Sequence, residues 1–202
     1  MKKKSLWDRA LGLYGRCVLG NILGFFMWVS ISIVVFALLP KEQEKITFTA
    51  NLIAGILTLL LQGFLFGSIV WSNLWTYGDR DGTKDMFKNQ NSDPNHGLWV
   101  GLIATIPSWI AYFVLIADKL FGFWDKYTLV YRCCNGALYP LIEWTMKKSW
   151  QTPLAQIGWP GILLSALPIV ITVVIAWVAY YIGYKQIPVM KNLMYKNPAV
   201  RK

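Results

Sequence analysis

The sequence has one histidine, three cysteines, and ten acidic residues against twenty basic ones. His96 has no Cys, Asp or Glu at ligand spacing and no HExxH helix, which excludes the common zinc sites. Cys17, Cys133 and Cys134 form an odd set without a disulfide or metal pattern. A bridge between the adjacent Cys133 and Cys134 would strain the intervening peptide, so all three read as small, half-buried side chains. No serine stands in GxSxG, no phosphate loop occurs, and no long apolar run carries a charge at its centre. The expectation is a protein that is not an enzyme, with no catalytic residues, metal or cofactor.

Charge is also scarce. Only 15% of residues are charged and 55% are hydrophobic, with a mean hydropathy of +0.41. A soluble domain of this length needs more polar surface, so the composition belongs to the membrane class. The net charge of +10 could suit a phosphate backbone. Many of the basic residues, however, flank apolar runs, where they meet anionic lipid headgroups. The expected partner is therefore the bilayer, not nucleic acid.

Four runs are long enough to cross the ~20 residues of hydrocarbon thickness: 17–39, 48–75, 98–117 and 161–184. An uncleaved first span is expected, because its apolar stretch is too long for a signal peptide. Pro40 ends it, and the short connection Lys41–Lys45 returns the second run antiparallel to the first. Gln62 lies near the middle of the second run and reads as interhelical packing glue. Pro107 and Pro168 kink the third and fourth runs, with Thr105, Ser108, Ser165 and Thr172 nearby to compensate freed backbone groups. Two kinked helices could make a shallow cavity or simply improve packing. The pairs Gly20 and Gly24, Gly63 and Gly67, and Gly97 and Gly101 are GxxxG spacings that allow close helix approach. Ala179 and Gly183 form a small-xxx-small pair.

The fold class expected is an all-α integral membrane protein, a single domain over 1–202 with four spans. Residues 118–159, rich in aromatics but interrupted by charge, are expected to form an amphipathic segment lying in the interface. Crossing the bilayer there would bury Arg132 at a cost of ~2.5–3.5 kcal/mol. The tail 185–202 reads as a short basic helix on headgroups. Four spans with both termini inside put thirteen basic residues on the cytoplasmic side and seven outside, which fits the positive-inside bias.

The polar interval Gly78–His96 reads as a cytoplasmic loop between spans two and three. Asp81-Gly82 and Asp93-Pro94-Asn95 are turn formers. Its string Asp79-Arg80-Asp81-Gly82-Thr83 resembles the nucleophile motif of haloacid-dehalogenase-type phosphatases. That motif needs a strand end in a large doubly wound domain, which a short connection between membrane helices cannot provide. A calcium loop also fails, because Lys84 and Gln90 fall where Gly and Glu are required. What remains is Asp79, Arg80 and Asp81 at a membrane edge, the expected contact for a cytosolic partner.

Two stretches carry a resemblance. Tyr77-Gly78-Asp79-Arg80-Asp81 followed by Gly97 to Pro107, together with Ile182-Gly183-Tyr184-Lys185 and Met194-Tyr195-Lys196, resemble small uncharacterised polytopic membrane proteins of Gram-positive bacteria. The resemblance implies a bacterial cytoplasmic membrane; it carries no activity over, because none is assigned to such proteins. The function expected is an accessory, immunity-type or scaffold component of a membrane complex, in contact with another membrane subunit or a second copy. The alternative is a small transporter or a substrate-binding membrane subunit.

Overall fold

The computed structural model describes residues 5–38, 44–88, 93–124, 127–146 and 154–187. Most of the Lys41–Lys45 connection and the basic tail beyond Ile187 lie outside the described residues. Among the described residues all regular structure is helical.

Helix α1 (Leu6–Leu38) starts well before the apolar run does. Ser5 and Asp8 explain the start: the Asp8 amide donates to Ser5 Oγ at 3.2 Å and the Ser5 amide donates to Asp8 Oδ2 at 3.0 Å. This reciprocal arrangement satisfies donors that a helix N-terminus leaves unpaired.

Helix α2 (Glu44–Lys88) is 45 residues long. It corrects the loop expected from Gly78 onward, since Gly78–Lys88 are continuous helix. The local turn preference of Asp81-Gly82 is overridden by packing. A Cβ at Gly78 or Gly82 would overlap the backbone carbonyl of Tyr180 or Tyr184, so these glycines let the helix end lie directly on its neighbour. Only the short remainder before His96 connects α2 to the next helix.

Helices α3 (His96–Ala104) and α4 (Ile106–Phe121) are the two arms of the third run, bent by 51° at Thr105. Pro107 cannot donate to the Ile103 carbonyl. At the bend Thr105 Oγ1 donates to the Gly101 and Leu102 carbonyls, at 3.0 and 3.1 Å, and a backbone amide of the cap serves the Ile103 carbonyl. Gly122, at φ 65°, ends α4 in the left-handed region.

The chain then forms α5 (Tyr127–Cys134), a 3-10 turn (Gly136–Leu138) and α6 (Tyr139–Met146). Of the aromatics expected to lie on an interface, Phe121, Phe123, Trp124 and Trp159 are exposed, but others are not. Tyr127, Tyr131, Tyr139 and Ile142 are buried inside the protein, and Arg132 is fully enclosed. Sequence reasoning weighed Arg132 against lipid. The fold gives it a protein environment instead, with Nη2 3.8 Å from Met146 Sδ and with Tyr139 and Glu143 in electrostatic reach. Residues 125–126 and 147–153 of that segment lie outside the described residues.

Helices α7 (Trp159–Leu164) and α8 (Leu167–Tyr184) form the last run, broken just before Pro168. Ser165 Oγ donates to the Ile162 carbonyl at 2.7 Å and Thr172 Oγ1 to the Pro168 carbonyl at 2.8 Å. Tyr131 of α5 donates its hydroxyl to the Ser165 carbonyl at 2.8 Å, so one broken element satisfies another.

Three stretches are long and apolar enough to cross a membrane: Leu6–Val35, Leu52–Phe87 and Trp159–Tyr184. The bent α3–α4 pair makes a fourth if it is one span. Helix α2 is central, packing most extensively on α8 and then on α1. One buried cluster joins α1, α2, α3 and α8 around Leu13, Val70, Leu74 and Tyr180. A second joins α4 to α7 and the start of α8 around Leu115, Tyr131, Ile142 and Ile162.

Candidate functional site

Between these two clusters lies a cavity of about 240 Å³. Cys17, Phe66, Ala104 and Ala137 reach it from the first cluster and Ile169 from the second. Three interruptions of helix meet there: Thr105 and Pro107 from the α3–α4 bend, Cys134 and Asn135 from the end of α5, and Pro168 from the start of α8. A break releases backbone groups from the helical ladder, and such groups are tolerated at membrane depth only where they are buried in protein or line a cavity.

Asn21 of α1 fixes one of the breaks. Its Nδ2 donates to the Cys134 carbonyl at 2.8 Å, and its Oδ1 accepts from the Ala137 amide at 3.1 Å. Close approach makes this possible, since a Cβ at Gly24 would stand 2.5 Å from Ala137 Cα. Asn135 Nδ2 donates back to the Tyr131 carbonyl at 3.1 Å.

The cavity lining carries no charged side chain. Its polar members are amides and hydroxyls, and all three cysteines border it. Cys17 is buried, while Cys133 and Cys134 reach the surface. Partial burial pushes the Cys133 thiol up, and does the same to Cys134 with a further push from Cys133. Among the described residues no group of three or more His, Cys, Asp or Glu side chains could hold a metal ion.

A second cluster lies farther along the same helices. Arg9 of α1 grips Asp81 of α2 with both terminal nitrogens, one of them reaching Oδ1 at 3.1 Å and the other pairing with Oδ2. Tyr180 of α8 donates its hydroxyl to Asp81 Oδ2 at 3.0 Å, and the Arg9 guanidinium stands 5.2 Å from the centre of the Tyr77 ring. Tyr184 donates to Asp85 at 2.7 Å, and Gln186 Nε2 donates to Thr83 Oγ1 at 2.9 Å. The Arg–carboxylate fork is the strong form of such a pair, and it staples three helices together.

Of the residues singled out from sequence, Pro107 and Pro168 line one cavity. Gln62 is buried on α2, its Nε2 donating to the Gly24 carbonyl. Asp81 is withdrawn into the ion pair, which removes it from any external contact. Arg80 stays exposed and Asp79 half-buried. The glycines divide. A Cβ at Gly20 would overlap the Phe66 ring, and one at Gly97 or Gly101 would press on Tyr180 or Ala176. Gly63 has open space around it, and Gly67 has only an ordinary contact with Ile175. Sequence reasoning missed Asn21, Arg9 and Tyr180. Asn21 alone carried a signal, as an amide inside an apolar run. No family model matches the chain, and no curated protein or solved structure matches it.

Proposed function

We propose that this is a multi-pass protein of the bacterial cytoplasmic membrane that binds a small ligand in the cavity, as a substrate-binding membrane subunit or a small transporter. The observation that carries this reading is the convergence of three helix interruptions on one uncharged cavity. Discontinuous helices are how membrane proteins expose backbone and hydroxyl groups to a ligand near mid-bilayer. The threading that supports it has four crossings, the bent α3–α4 pair counting as one, with both termini cytoplasmic. The basic residues divide thirteen to seven in favour of that side. The α5–α6 segment serves as a wall of the cavity. Gly20, Gly24, Gly97 and Gly101 are the close-approach points that hold the walls.

Thermal unfolding of the purified protein across a panel of metabolites and lipids tests this. A ligand present at about 100 times its dissociation constant stabilises by ~2.7 kcal/mol. A panel without a shift rejects the reading.

The exposed end of α2 favours a second reading, as an accessory or scaffold component. Met86 and Phe87 are 69% and 83% exposed there, beside Arg80. Copurification of a partner lost on Arg80→Glu would support it.

A further inference from the structure

The cavity has a floor and a rim of different character. Phe66, Thr105, Asn135 and Thr172 on the floor are buried, whereas Tyr14, Ile22, Pro107, Cys133 and Cys134 at the rim are exposed. Ile22 of the rim falls inside the apolar run 17–39, and Pro107 sits beside the bend of the α3–α4 pair. Beyond Arg16, which is exposed next to Tyr14, the neighbouring surface is apolar, with Leu19, Leu23, Ile106 and Ile110 all exposed. An exposed apolar surface midway along crossing helices faces hydrocarbon, so the cavity opens sideways into the bilayer.

The floor sets the chemistry of the occupant. Without a charged lining group, an ionised ligand would have no counter-charge and would lose its hydration. Thr105 and Thr172 have already committed their hydroxyl hydrogens to backbone carbonyls. A hydroxyl oxygen with its hydrogen spent still has acceptor capacity, so a ligand meeting these groups must bring a donor. The volume of about 240 Å³ exceeds the ~150 Å³ that admits benzene and is below the ~300–1,000 Å³ of drug-sized sites. It holds a small head and the first part of a chain.

We infer that the cavity binds an uncharged, hydroxyl-bearing amphiphile that enters laterally from the bilayer, with its hydroxyl donating toward Thr105 and Thr172. The inference rests on the ligand-binding reading above and adds the ligand's class and route.

The native Cys133 and Cys134 report on the rim. The full chain is placed in phosphatidylcholine nanodiscs and alkylated with N-ethylmaleimide, with and without oleyl alcohol. At an alcohol level about ten times its dissociation constant, labelling slows about tenfold. Methyl oleate, which has no donor, and oleate, which is charged, leave the rate unchanged. Ser108→Leu, which fills the cavity, abolishes the protection. If that variant fails to fold, Thr172→Val, which keeps the volume and removes the oxygen, serves in its place. Equal protection by methyl oleate overturns the hydroxyl assignment, and protection by glycerol alone overturns the lateral route. Labelling unmoved by any amphiphile, beside a thermal shift with a water-soluble metabolite, sinks this inference and leaves the binding reading standing. No response in either assay removes both.

Discussion

Two regions of the α1–α2–α8 bundle, the Arg9–Asp81–Tyr180 end and the cavity, are built on opposite principles. At the Arg9–Asp81–Tyr180 end the helices touch backbone to backbone, glycine carries the contact, and charge is paired. At the cavity the helices break, hydroxyls and amides replace charge, and space is left. A polar group buried away from water must find a partner in either case. The staple answers with a fixed ionic fork, whereas the cavity answers with uncharged hydrogen bonds, some within one turn and some from Asn21 or Tyr131 to a distant break. The first arrangement tolerates little movement, and the second leaves room for a guest.

Removing one partner of the fork should have the largest effect. Asp81→Ala leaves the Arg9 guanidinium buried without its carboxylate and should destabilise by ~3–5 kcal/mol in denaturant unfolding in detergent. An Arg9→Met, Asp81→Leu double variant should recover much of that loss. A double variant as unstable as the single one would show that the fork is worth more than the packing around it. Next comes steric density: Gly78→Val presses a side chain onto the Tyr180 carbonyl and should cost ~1–3 kcal/mol. On the cavity side, Tyr131→Phe removes the donor to the Ser165 carbonyl. It should cost ~0.5–1.5 kcal/mol, with faster alkylation of Cys133 and Cys134 as the break loosens. The smallest effect, and one of opposite sign, is expected at Gly63. With open space around it, Gly63→Ala should gain up to ~1 kcal/mol from helix propensity. A loss there would mean that this face is covered by another molecule in the membrane.

The long apolar runs were legible because span length is set by bilayer thickness, and the prolines marked where two of them break. The run from Gly78 to Lys88 was not. Asp81-Gly82 is a good turn by local preference, and its helical state depends on Tyr180, Tyr184 and Arg9, which are distant in sequence. Long-range pairing has no local signature. Arg132 misled for a related reason: its cost was reckoned against lipid, while the fold supplies Tyr139, Glu143 and Met146. Pro107 and Pro168 could be named as kinks from their residue type. That they share a cavity with Asn21 and all three cysteines depends on how α5 folds back against α1.

Helix α2 is about 68 Å long at 1.5 Å per residue, more than twice the ~30 Å of hydrocarbon. Phe66 at the cavity floor and Phe87 at the exposed tip lie on that one rod, about 32 Å apart by the same rise. The staple at Asp81 stands between the two, fifteen residues from Phe66 and six from Phe87, so the tip is held close to its clamp while the cavity floor lies on the longer, freer stretch of the rod.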